Sequence, residues 1–330
     1  MSPFRTTLAV PNFPFQINHQ GQILSIGSCF AENIGQRLET LKFPIKRNPF
    51  GILYNPMSIL NALKSLHTGY EFTHKDLITY NGLWHSFWHH SQFSGEEQAA
   101  VLTDIQVQAT EARKVLKACN RLLITFGTAY VYEHIARRQM VSNCHKIPAK
   151  NFQKKRLSIM EILAEYRVFL QELKSRNTDL EIIFTISPIR HIKDGIIENQ
   201  RSKAVLLLAV EELCSTLDFV HYFPAYEILM DDLRDYRFYG EDMLHPSKVA
   251  VDYVWQQFES AFFNVKTLSL NRQIKKLQTG LSHRPFQPES EAHQTFLKKL
   301  FAQMKKLEAS HPSLNFDSEN EEFATKIMLE

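Results

Sequence analysis

The chain has 330 residues, 44% of them hydrophobic and 22% charged, with a net charge of +3. That is the composition of a globular protein with a full core, as one large α/β domain or two small ones. So small a net charge argues against nucleic acid or a membrane surface as partner. No apolar stretch is long enough to read as a membrane-spanning helix, and Met1 to Asn18 lacks the pattern of a signal peptide. The four cysteines, Cys29, Cys119, Cys144 and Cys214, form no CxxC pair and read as reduced thiols in a cytoplasmic protein.

In chain order, Gln22 to Gly27 reads as a short buried strand, followed by a helix with Ile34, Leu38 and Leu41 on one face. Asn55-Pro56 gives an N-cap and first-turn proline for a helix through Leu66. Glu96 to Ala118 is a long helix with a polar face. Arg121 to Phe126 is a second buried strand, ending at Gly127-Thr128. Tyr130 to Val141 reads as two short extended runs around Ala136-Arg137-Arg138, a hairpin. Ser158 caps an amphipathic helix. Glu181 to Ile186 is the strongest strand and ends at Ser187-Pro188. A helix over Arg201 to Leu217, a strand over Asp218 to Tyr222 and a helix after His245 complete the core.

Strand alternating with helix predicts a parallel sheet covered by helices on both faces. Ligands of such sheets sit outside the carboxyl ends of the strands, where Ser28, Thr128, Ser187 and the segment after Tyr222 all fall. Beyond Phe263 the composition turns polar and lysine-rich. The chain therefore divides into an α/β domain over 1–264 and a helical extension over 265–330. The extension is expected to pack on the core, to cover the site or to form a homodimer.

Two distant segments carry the chemistry. Ile26-Gly27-Ser28-Cys29-Phe30 puts a hydroxyl where a strand turns into a helix; Asp242-Met243-Leu244-His245-Pro246 puts a carboxylate and an imidazole three residues apart. Serine is a weak nucleophile unless a positioned imidazole takes its proton and a carboxylate orients that imidazole. Ser28 is thus the candidate nucleophile, ahead of Cys29, with His245 as base and Asp242 as orienter. The competing reading makes Ser28 a helix N-cap and Asp242 a turn cap. Candidate oxyanion donors are the Ser28 and Gly51 amides, Asn143 and Thr128. Asn48, Trp84, His85, His145, Arg190 and His191 are candidate substrate contacts, and the default for the aromatic run Trp84 to His90 is a loop packing its indoles on the domain. No metal or organic cofactor is expected.

These blocks together resemble the GSCFA-domain family, whose name is the string Gly27-Ser28-Cys29-Phe30-Ala31. The resemblance extends through Asn48-Pro49-Phe50-Gly51, Asn143-Cys144-His145-Lys146, Ser187 to His191, Tyr222 to Glu227 and Asp242 to Pro246. It implies a branch of the SGNH or GDSL-like hydrolases, with a flavodoxin-like three-layer α/β/α fold. It also implies ester chemistry by Ser28, Asp242 and His245, with Gly51 as the second oxyanion donor. The chain departs from that pattern in two places: no aspartate precedes Ser28, and Gly127-Thr128-Ala129 lacks the asparagine of the third block. The expectation is a serine esterase acting on a small-molecule or glycan ester, including an O-acetylated carbohydrate. An O-acyltransferase using the same site and a non-catalytic binding protein on the same scaffold are the alternatives.

Overall fold

Burial on both faces shapes the centre of the molecule, a computed structural model that describes residues 6–327. Met1–Arg5 and Met328–Glu330, the outer ends of the N-terminal stretch and of the predicted extension, lie outside the described residues. Strand β1 (Ile23–Gly27) is buried at every position, as a strand covered on both sides must be. Helix α1 (Cys29–Thr40) follows, then the edge strand β2 (Ile45–Arg47) and α2 (Pro56–Thr68). A hairpin of β3 (Leu77–Tyr80) and β4 (Leu83–Ser86) leads into α3 (Gln98–Ala118) and β5 (Arg121–Phe126). Next come β6 (Tyr130–His134), β7 (Gln139–Val141) and β8 (Phe152–Arg156), which form a small antiparallel sheet of their own in the order β7-β6-β8. Then α4 (Ile159–Arg176), β9 (Glu181–Ile186), α5 (Ile196–Thr216) and β10 (Val220–Tyr222) finish the central sheet.

The central sheet runs β10-β9-β5-β1-β2, and its strand pairs are parallel. Counting only these five strands along the chain, the order is 2-1-3-4-5, the flavodoxin-like arrangement. The order reverses at β1, between β2 and β5, so a crevice opens where β1 and β5 end.

Alternation along the strands assigns the layers. Leu24, Ile26, Leu122, Ile124, Ile182 and Phe184 face one helical layer, α2 to α5. Ile23, Leu123 and Ile183 face the other, built from α1 and α7 (Lys248–Phe262). Between β10 and α7 the chain makes one helical turn, α6 (Ala225–Glu227), that continues into a π turn over Ile228–Asp232. This is a three-layer α/β/α sandwich. No helix among the described residues is long and apolar enough to cross a membrane.

Local chemistry sets the boundaries. Asn55 caps α2 by accepting the Ser58 N–H at 2.8 Å, with Pro56 behind it and Gly69 in a left-handed C-cap. Ser158 and Glu161 form a capping box at α4. The expected hairpin turns at Ile135–Arg138, between β6 and β7. Three features differ from expectation. Helix α5 begins at Ile196, five residues before the predicted Arg201, because its first turns bury polar residues. The charged strands β2 and β8 carry little apolar signal: β2 is an edge strand, and four of the five residues of β8 face solvent. Trp84 and His85 lie in a hairpin strand rather than a loop.

Helices α8 (Val265–Leu281), α9 (Glu291–Ser310) and α10 (Asp317–Lys326) place Ile274, Leu277, Leu300, Met304 and Phe323 in the same apolar cluster as Ile34 and Leu38 of α1 and Phe258 of α7. These helices thicken one layer of the sandwich. Ile274→Ala should therefore lower global stability by about 2–5 kcal/mol in urea unfolding, the usual cost of emptying a buried aliphatic site. A separate early transition, leaving the sheet folded, would show instead that the C-terminal helices are energetically independent.

A candidate active site at the carboxyl edge of the sheet

Gly27 ends β1 with φ +147°, and a Cβ there would lie 2.3 Å from the Thr125 carbonyl oxygen. Only glycine permits that approach. The chain then turns into α1 with Ser28 as N-cap, its Oγ accepting the Phe30 N–H at a long 3.4 Å. Ser28 is 2% exposed, yet it lines a pocket of about 480 Å³. Its own N–H donates to Thr125 O at 3.2 Å, so that amide is engaged in the sheet.

The Asp242–His245 turn is folded by its own hydrogen bonds. Gly240 N–H donates to His245 O at 2.7 Å, and Met243 sits in the left-handed region at φ 57°. Asp242 Oδ1 accepts the N–H groups of Leu244 and His245, each at 2.9 Å. Its Oδ2 accepts from His245 Nδ1 at 2.5 Å. That bond from the imidazole, then the two backbone N–H groups, hold the Asp242 carboxyl down at about 2. With Nδ1 carrying the proton, Nε2 is the basic nitrogen. His245 lines the same pocket as Ser28.

Thr128, Arg190 and His191 line this pocket as well. Thr128 Oγ1 contacts Ser202 Oγ at 3.1 Å and accepts the Tyr130 N–H, while its own N–H donates to Tyr54 O. Arg190 donates to the Tyr239 hydroxyl at 3.3 Å and lies over that ring. Burial, with Lys203 nearby, pushes the His191 imidazole down to about 4.

The remaining candidates lie elsewhere. Gly51 donates its N–H to Asn48 O at 2.7 Å and packs against His90, away from the pocket. Asn48 is buried under β1, accepting the Gly27 N–H and donating to Glu32. Asn143 accepts the His145 N–H in a tight turn with left-handed residues at His145 and Lys146. Trp84 packs on the main core. His85 stacks on His145, with its ring nitrogens held by Ser94 and Tyr80.

Two donors went unread in the sequence. Asn55 lines the pocket and uses only Oδ1 for its cap, and its amide nitrogen has no hydrogen-bond partner among the described residues. Cys29 N–H, in the first turn of α1, has no carbonyl partner within the helix. Asn55 was legible only as a cap because a cap and an amide donor are the same residue type. Tyr54, whose phenol is pushed up by burial and then by Cys29, sets its hydroxyl 3.9 Å from the Cys29 sulfur.

A doubly wound parallel sheet with a hydroxyl, an imidazole–carboxylate pair and a pocket at the strand ends defines an α/β protein of the flavodoxin-like type with a cleft at its carboxyl edge. Residues 22–258 match the GSCFA family and residues 274–328 match the GSCFA domain protein, C-terminal domain. The chain belongs to the GSCFA family. None of the curated proteins compared with it matches.

Away from the pocket, burial pushes the His89 ring down to about 3 and the His145 ring to about 4 from an ordinary 6.5. Unfolded, both take protons first. Stability is thus unaffected above about pH 6.5 and falls as the pH drops below it, by about 1.4 kcal/mol per pH unit for each ring. Urea unfolding between about pH 7 and pH 5 should show this slope, and His89→Asn and His145→Asn should each flatten it. An unchanged slope in both variants would exclude these rings as its source.

Proposed function

We propose that the protein is a serine hydrolase acting on carboxylic esters. The observation that carries this reading is that Ser28 and the hydrogen-bonded Asp242–His245 pair, from opposite ends of the core, line one pocket. Ser28 Oγ attacks the acyl carbon, and His245 Nε2 takes its proton and later returns it to the leaving alcohol. Asp242 holds the tautomer and stabilises the imidazolium. The Asn55 amide and the Cys29 N–H stabilise the oxyanion, in place of the Ser28 and Gly51 amides, whose protons are engaged elsewhere. Water then releases the acyl group. At about 480 Å³ the pocket suits a small acyl group or one sugar ring of a glycan ester. Four free cysteines, one of them in the first turn of α1, fit a reducing, cytoplasmic setting.

A fluorophosphonate probe tests the nucleophile without knowledge of the substrate. Intact mass should show one adduct on the parent and on Cys29→Ala, and none on Ser28→Ala. His245→Ala should slow labelling by about 10²-fold or more, the usual share of a general base. A folded parent that takes no adduct would move the reading to a binding protein, and an adduct lost only in Cys29→Ala would name the neighbouring thiol. Transfer of an acyl group to an added sugar, faster than to water, would make the protein an acyltransferase.

Asn55→Ser keeps the capping oxygen and removes the amide donor. Ester turnover should fall about 10²-fold or more, as for other lost oxyanion donors, with little change in melting temperature. Unchanged turnover in this variant would remove Asn55 from the oxyanion site.

A further inference from the structure

Helix α5 buries an unusual stripe. Asn199, Ser202 and Lys203 are each 3% exposed or less, on the face that continues as Leu206, Ala209, Val210 and Leu213. The stripe is apolar where it covers strands and polar where it passes the ends of β5 and β9. Each polar member holds a loop. Asn199 Oδ1 accepts the His191 N–H at 2.9 Å, and Ser202 Oγ accepts the Ala129 N–H at 2.7 Å. Lys203 Nζ, 1% exposed, donates to Gly127 O at 2.6 Å and to Ser187 O at 2.5 Å. Gly127 directly follows β5 and Ser187 directly follows β9. No carboxylate pairs with Lys203 among the described residues.

A buried amine without a counter-ion is costly to fold around. An apolar residue of the same length would fill the space, so packing alone does not account for a lysine. What the amine supplies is a pair of strong donors aimed at two carbonyls on different strands.

We propose that Lys203 is a positioning residue of the pocket: it clamps the ends of β5 and β9 together and so fixes the two loops that present Thr128 and His191 to the cleft. A neutral amine still has two N–H groups for the two carbonyls, so the clamp holds in either protonation state. Burial does most to keep the adjacent His191 ring neutral, and the positive charge of Lys203, when present, adds to it. The clamp is independent of the ester-hydrolase reading; only its effect on Ser28 chemistry rests on that reading.

The test compares Lys203→Met, which removes both donors, with Lys203→Gln, which keeps an amide N–H. Fluorophosphonate labelling of Ser28 and the ring signals of ¹⁵N-histidine-labelled protein are read together. With the circular dichroism unaltered, Lys203→Met should label at least about tenfold more slowly, and Lys203→Gln should recover part of that loss. In Lys203→Met the His191 ring signals should move, and their titration midpoint should rise from about 4, while those of His89 stay in place. Folded Lys203→Met with labelling within about twofold of the parent and an unmoved His191 would overturn the proposal. If the parent itself takes no label, the hydrolase reading fails and the His191 signals alone decide whether Lys203 positions the loops. If Lys203→Met does not fold, Lys203→Gln decides: labelling more than about twofold slower than the parent with moved His191 signals supports the clamp, and labelling within about twofold with an unmoved His191 overturns it.

Discussion

The close approach of β1 to β5 at Gly27 is the constraint on which the site depends. A side chain at Gly27 would collide with the Thr125 backbone, so a bulkier residue would spread the sheet where the pocket opens. The segment from Asn48 to Asn55 locks the junction from one side. Asn48 takes the Gly27 N–H, Leu53 N–H reaches Gly27 O, and Tyr54 O takes the N–H groups of Gly127 and Thr128. One loop is thereby stitched to the ends of both central strands, and its last residue, Asn55, is delivered into the pocket. In this arrangement Asn48-Pro49-Phe50-Gly51 supports the turn that carries Ser28.

The polar face of α5 closes the frame from the other side. There the side chains of Asn199, Ser202 and Lys203 bind the ends of β5 and β9. Buried polar groups are stable only when satisfied, and each of these finds its partner in loop backbone. Such a face specifies where the loops lie better than an apolar one would, because displacing a loop by an ångström would break a buried hydrogen bond. An apolar contact tolerates the same shift.

How much of this was legible in the sequence follows from what each feature depends on. The buried strands and capped helices carry their signal locally: Ile23 to Gly27 is continuously apolar apart from Ser25, and Ser158 with Glu161 marks its own helix start. The two segments that line the pocket were legible as a candidate site because serine at a strand-to-helix turn and Asp-x-x-His before a proline are local chemistry. The pocket's floor was not. Gly51, Asn143 and His145 have the residue types of a catalytic loop, but the hydrogen bonds of Gly51 and Asn143 stay within their own turns and the His145 ring is held by Ser86 O of β4. Which donors stay free is fixed by tertiary partners, and no spacing rule reveals them. Lys203 reads as an ordinary charged residue in a helix until the sheet brings Gly127 and Ser187 to it.

Ser28 shows why the two readings of one residue need not compete. As N-cap it uses an oxygen lone pair to accept the Phe30 N–H; as nucleophile it must give its proton to an imidazole. The first role leaves the hydroxyl hydrogen free, so the cap does not block the base. At 3.4 Å the capping bond is long, and such bonds weaken with distance, so little would be lost if Oγ moved toward a substrate carbon. The Asp242–His245 pair is about half exposed, and solvent screens a pair so placed. Its usefulness to Ser28 would then come from geometry: the carboxylate fixes which nitrogen holds the proton. A substrate filling the pocket would cover the pair and strengthen that bond by excluding water. Covering by the substrate would make the base most effective only when an ester is present.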